Sequence, residues 1–252
     1  MKLNKLIAIA TISLLSGGIS MAQKALNLED IVAGNIIQTK GIGSMTWLKD
    51  GERYSRLENN KQTGGTDIVA YRAKDNSREV IIPSSLLTDK STGRPIPVRS
   101  VSWSADNEKI LIYNNTRRVW RYDTRGDYWV LNLKDGALRQ LGKGMPESSM
   151  MFAKFSPDGT RVAYVSNNNI YVEDIDSGKI TQLTKDGSDT IVNGTFDWVY
   201  EEEFSCRDGF RWSPDGKHIA YWQSDTKGTG VFDIINNVDS IYAKVIHFPY
   251  PK

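Results

Sequence analysis

Three consecutive carboxylates, Glu201, Glu202 and Glu203, stand in the segment Thr195-Phe196-Asp197-Trp198-Val199-Tyr200-Glu201-Glu202-Glu203-Phe204. Acids set between aromatic residues are not a turn signal. Clustered carboxylates flanked by Trp198, Tyr200 and Phe204, which limit water, can hold one ammonium by charge-assisted hydrogen bonds. Like charges this close repel, and an arriving cation relieves that repulsion. The competing reading is a solvated acidic face on a surface insertion, the ordinary explanation of a charge run.

Other chemistry is sparse. No Gly-x-Ser-x-Gly occurs, and His218 and His247 are the only histidines, so no catalytic residue is assigned in this chain. His218 falls where two other copies of a repeat carry Lys109 and Arg161, which makes it a solvated repeat residue, and His247 sits in an apolar strand. Two histidines and one cysteine at these positions match no metal spacing, and neither a Walker loop nor a dinucleotide fingerprint is present. We expect no metal and no cofactor. Cys206 is alone and cannot close an internal disulfide, and it reads as a buried thiol.

The elements that must position the acids repeat. Val101-Ser102-Trp103-Ser104-Ala105-Asp106-Asn107, Phe155-Ser156-Pro157-Asp158-Gly159 and Trp212-Ser213-Pro214-Asp215-Gly216 share one plan, with a fainter copy at Trp47-Leu48-Lys49-Asp50-Gly51. An aromatic residue closes a strand, a tight turn follows, and an alternating apolar strand returns. A second hairpin recurs between these, around Asp174-Ile175-Asp176-Ser177-Gly178-Lys179 and Lys134-Asp135-Gly136. Four strands at a period near fifty-five residues predict an all-β fold, a β-propeller of four-stranded blades. About four blades fit, so the ring is incomplete. A β-sandwich also has short strands and frequent turns, but does not require one turn to return at a fixed interval. Helix is expected only as a short amphipathic turn over residues 25–32.

Residues 1–22 read as a cleaved signal peptide: Lys2 and Lys5, an apolar stretch about half the length of a membrane span, then Ser20-Met21-Ala22. The mature portion, 23–252, is then a partial propeller domain that is exported, periplasmic or extracellular, with no membrane span after cleavage. Losing Lys2 and Lys5 leaves 30 basic against 30 acidic residues, so no net charge draws the chain to nucleic acid. A charged fraction of 25% with seven tryptophans and eleven tyrosines is globular composition and excludes general disorder.

The string Asp197-Trp198-Val199-Tyr200-Glu201-Glu202-Glu203-Phe204, with Phe210-Arg211-Trp212-Ser213-Pro214-Asp215-Gly216-Lys217-His218-Ile219-Ala220-Tyr221 after it, resembles the double-glutamate segment and following blade of dipeptidyl peptidase IV, a prolyl oligopeptidase-family serine peptidase. The likeness extends from Leu26-Asn27-Leu28-Glu29-Asp30-Ile31 to Phe248-Pro249-Tyr250-Pro251-Lys252. It implies that Glu202 and Glu203 bind the free amino terminus of a peptide substrate. It also implies that Arg121, in Trp120-Arg121 with Tyr128 nearby, holds a substrate carbonyl, although an exposed blade arginine would look the same. The resemblance implies, too, a catalytic α/β-hydrolase domain absent from this chain and removal of dipeptides after proline or alanine; dimers are common in that family, which leaves a homodimer open for the complete protein. The rival from another class is a non-catalytic secreted propeller serving as a protein-binding scaffold.

Overall fold

The computed structural model describes residues 27–32, 41, 43–119 and 121–249. The expected signal segment lies outside them. One short helix, α1 (Leu28–Val32), forms within the expected amphipathic stretch. The blades lie in a separate compact unit, Ser44–Lys252.

Three antiparallel sheets of four strands follow one another along the chain, each a meander in strict sequence order. The first holds β1 (Thr46–Trp47), β2 (Arg53–Asn59), β3 (Thr66–Arg72) and β4 (Arg78–Ile82). A 3-10 turn (Ser84–Leu87) and a two-residue ribbon, β5 (Thr88–Asp89) with β6 (Arg94–Pro95), lead to the second. That blade holds β7 (Ser100–Trp103), β8 (Lys109–Val119), β9 (Tyr122–Asn132) and β10 (Leu138–Gln140). The third holds β11 (Met151–Phe155), β12 (Arg161–Ser166), β13 (Asn169–Asp174) and β14 (Ile180–Gln182). Beyond it the sheets are two-stranded: β15 (Ile191–Asn193) pairs with β18 (Gln223–Asp225), and β16 (Phe210–Trp212) with β17 (Ile219–Tyr221). The terminal hairpin joins β19 (Val231–Asn236) to β20 (Lys244–Pro249). The fourth copy of the repeat is thus the hairpin β16–β17, and the blade array is open. One helix falls where none was expected, α2 (Trp198–Phe204), inside the acidic insertion.

Strand alternation explains why the blades stack. Side chains along a strand point to opposite faces with period 2. In the second blade Ile110, Ile112 and Leu131 pack with Ile68 and Ile82 of the first and with Leu87 of the 3-10 turn between them. Their neighbours Leu111 and Val130 turn to the other face and meet Val162, Tyr164 and Ile175 of the third. The third blade repeats the arrangement, with Ala163, Val165 and Ile170 against Phe210 of β16. Both faces are apolar, so each blade is covered only when it has neighbours, a condition that a sandwich of two sheets does not impose.

The recurring turn works through its serine and aspartate. The Ser104 hydroxyl donates to Asp106 at 2.6 Å and accepts the Lys109 amide at 2.9 Å, closing the hairpin. Ser213 repeats this with Asp215 at 2.6 Å and the His218 amide at 2.9 Å. Ser156 bonds Asp158 and takes the Arg161 amide at 3.0 Å. In the first copy Leu48 replaces the serine, and Asp50 accepts both the Glu52 and Arg53 amides, at 2.9 and 3.0 Å. Gly159 and Gly216 both sit at φ 67°, a left-handed setting that glycine takes without strain.

These bonds favour ionised aspartate. The Ser156 hydroxyl, followed by the Thr160 amide, holds the Asp158 carboxyl down at about 2. An unfolded aspartate titrates near ~3.9, so the stabilisation is complete above that pH and is lost as pH falls through the folded value. The Asp158 side chain is 51% exposed, so solvent screening limits its contribution to about 1 kcal/mol. Acid titration of unfolding, followed by circular dichroism, should show Asp158→Ala losing about that much at neutral pH. The difference from the parent should vanish below pH ~2.

Candidate functional site

The second blade has the longest hairpin, and its extra length reaches the acidic insertion. Strands β8 and β9 pair from Lys109↔Asn132 to Asn114↔Asp127, shift register, and pair again at Arg117↔Arg125 and Val119↔Tyr122. Such irregularities bend a ribbon and re-aim its end, and Arg121 stands at the tip. Trp120 lies outside the described residues. At the base, Tyr113 stacks on Tyr128 at 4.8 Å and its hydroxyl donates to the Asp123 carbonyl at 2.7 Å. Burial pushes the Tyr113 phenol up to about 12 and Tyr128 further. Gly126 lets the ring lie this close: a Cβ there would meet the Tyr113 ring at 2.4 Å and the Asn114 carbonyl at 2.6 Å.

The insertion between β15 and β16 is a loop with a closed neck. Thr195 bridges Asp208, and the Arg207 carbonyl accepts the Phe196 amide at 3.0 Å and the Thr195 hydroxyl at 2.9 Å. Within it Asp197 caps α2, accepting the Val199 and Tyr200 amides at 3.1 and 3.2 Å. Ser205 ends the helix at φ 50°, in the left-handed region. The inner side rests partly on aromatics, with Phe196 stacked on Tyr200 at 4.6 Å and tilted against Trp222 at 5.7 Å.

A helix turns 100° per residue, so it separates the acidic triplet that the sequence presents as one cluster. Glu201 points inward, its side chain 1% exposed, 3.6 Å from Arg207. Glu202 turns to the hairpin tip: its Oε1 accepts Arg121 Nε at 2.6 Å, and its Oε2 lies 2.5 Å from Nη2. Glu203 is exposed and has no ion-pair partner among the described residues. The fork–fork pair joins positions 81 residues apart, and it raises the Arg121 guanidinium above its ordinary value. Of the three residues expected to bind substrate, two are in direct contact, and Glu203 follows Glu202 on α2.

Two expectations need correction. The aromatics do not screen the acids from water, because the helix turns Phe204 outward to 69% exposure and leaves Tyr200 at 41%. Cys206 is half-buried and lines an open cavity of about 530 Å³ with Phe196, Phe210 and Trp222 beside α2, since it follows the helix end and not a core strand. The histidine readings fare better: His218 is exposed, and His247 on β20 bonds Asp233 at 2.6 Å.

Sequence reasoning passed over Arg207 and Lys154. Arg207 folds back beneath the helix to Glu201, and nothing periodic marks it. Lys154, on β11, reaches Asp208 at 2.5 Å and lies 3.5 Å above the Phe210 ring. Burial lowers its ammonium to about 8 despite that carboxylate. A lysine on an inner strand opposite an acid 54 residues away leaves no sequence signal.

The fold and site together define a class: an open run of propeller blades in which a long hairpin of one blade delivers an arginine to a helix-borne glutamate in an insertion two blades on. Residues 104–252, more than half of the chain, match the model of the dipeptidyl peptidase IV (DPP IV) N-terminal region. The chain belongs to that family. Dipeptidyl aminopeptidase B of Saccharomyces cerevisiae is 30% identical over 237 residues, 88% of this chain and 27% of that protein. A probable dipeptidyl-aminopeptidase B of Chaetomium globosum is 35% identical over 135 residues, 53% of this chain and 15% of that protein. The crystal structure of Porphyromonas gingivalis dipeptidyl peptidase 4 is similar at TM-score 0.74 and 26% identity, covering 91% of this chain and 32% of that one. The chain thus spans 27% of the length of the yeast relative that it matches over most of its own length.

The hairpin that carries Arg121 depends on Gly126. Gly126→Ala should lower stability by roughly 2 kcal/mol, because the new methyl meets both a ring and a carbonyl that cannot retreat. Urea unfolding measures the loss, and a crystal structure of the variant should show the Arg121–Glu202 pair broken or displaced.

Proposed function

We propose that this chain is the substrate-anchoring propeller portion of an exported serine dipeptidyl peptidase, which removes dipeptides from free peptide N-termini, after proline or alanine. The observation that carries the reading is the Arg121–Glu202 fork with Glu203 adjacent and unpaired. Arg121 offsets the charge of Glu202 and Arg207 offsets that of Glu201, so Glu203 brings the uncompensated negative charge. A protonated α-amine supplies the missing positive charge and up to three donors, enough to reach Glu203 and Glu202 together. Arg121 spends one edge of its guanidinium on Glu202 and has further N–H groups for a substrate carbonyl.

Anchoring at the amine turns a search along a peptide into a fixed distance, two residues from its end. The hydrolytic groups belong to an α/β-hydrolase domain beyond this chain, which by itself cleaves nothing. Export is supported by the charged, apolar and small-residue pattern of residues 1–22. The similarity to proteins named dipeptidyl aminopeptidases supports the reaction class.

In the complete enzyme, Glu203→Gln should lower kcat/KM for a free-amine dipeptidyl substrate by a factor of roughly a hundred or more while leaving the unfolding midpoint in place. Normal turnover by a folded Glu203→Gln protein would remove the assignment. The parent should also reject the same substrate once its amine is acetylated, because acetylation removes the charge that the acids recognise.

A further inference from the structure

Glu201 has no part in the anchoring chemistry above, yet it is a buried carboxylate beside the two acids that do. Neither of its oxygens has a hydrogen-bond partner, and the Nε of Arg207 has none either. At 3.6 Å the two groups attract without a hydrogen bond. A buried charge held so loosely is costly, and such groups in a native fold call for a reason. Asp197 at the helix cap and Arg125 on β9 also act on Arg207, the first favouring its charge and the second opposing it. Glu201 acts on Arg121 in turn. Its charge therefore acts both on the guanidinium of the loop return and on the guanidinium of the hairpin tip.

The helix gives this placement its consequence. Seven residues make barely two turns, too few to stand without tertiary support. The triplet is consecutive, so the direction of Glu201 determines the directions of Glu202 and Glu203, 100° and 200° around the axis. A carboxylate lies some 6 Å from the axis, so a rotation of about 20° would carry it roughly 2 Å, enough to part Glu202 from Arg121.

We propose that Glu201 is a positioning residue: buried inside the insertion and attracted to Arg207 on its return, it sets the rotation of α2 that sends Glu202 to Arg121 and leaves Glu203 free for the amine. This rests on the anchoring role of Glu202 and Glu203. The test uses the complete enzyme with both buried charges neutralised, Glu201→Gln with Arg207→Met, since removing one alone would strand the other. We expect KM for a free-amine dipeptidyl substrate to rise roughly tenfold, with kcat within about threefold of the parent and the unfolding midpoint nearly unchanged.

A folded double variant with unchanged KM overturns the proposal, because a merely structural pair would move the midpoint and not KM. Should the double variant fail to fold, Glu201→Asp keeps the charge and withdraws the carboxylate by one methylene from its place beside Arg207. A raised KM at a retained midpoint then supports the positioning role, and an unchanged KM overturns it. Glu203→Gln, assayed alongside, separates the two ideas. If it turns over normally, the anchoring reading falls and the positioning role with it; if it is inactive while the Glu201 and Arg207 variants bind normally, only the positioning role falls.

Discussion

A blade with two apolar faces cannot be stable alone, and this requirement governs the rest of the molecule. Ile110 and Leu111 are adjacent in sequence, yet one packs into the first blade and the other into the third. The same alternation recurs at Ala163 and Tyr164. Every strand in the middle of the array is therefore bound to two neighbours at once, and the position of each sheet is set by the next. A hairpin that extends beyond its blade inherits a defined direction from this stacking.

The candidate site uses that rigidity. Arg121 and Glu202 lie on different blades, one on a ribbon and the other on a short helix, and neither support would place its side chain unaided. The ribbon is stiffened at its base by the Tyr113–Tyr128 stack, which Gly126 permits. The insertion is closed at its neck by Thr195 and Asp208 and held against blade three through Lys154. A half-exposed ion pair contributes little to stability in such a setting. In the proposed function its role is to place a carboxylate and a guanidinium at fixed positions around one binding point, with the cost of ordering them met by the propeller.

The three glutamates show how one helix assigns different roles to identical residues. Their types and spacing are the same, and composition cannot rank them. Rotation about the helix axis buries the first, pairs the second and exposes the third. Burial then changes what each can do: the buried carboxylate needs a permanent counter-ion, the second shares an arginine, and the third keeps an unpaired charge, the one the proposed function assigns to a ligand.

Much of the fold was legible beforehand because the physics behind it is local. The Ser-Pro-Asp-Gly turns closed as expected, since a serine hydroxyl, an aspartate and a glycine within a few residues satisfy the same amides wherever they occur. The alternating strands beside them follow from side-chain period alone. The acidic segment announced itself by composition, but its helix did not: Asp197 is a good cap, yet the aromatic and acidic run after it lacks the apolar period of a helix. Nor could the chain order reveal that Arg121 meets Glu202, that Arg207 turns back to Glu201 or that Lys154 lies over the Phe210 ring. Those contacts join residues brought together by stacked blades, and long-range packing, unlike turn chemistry, leaves no repeating signature in sequence.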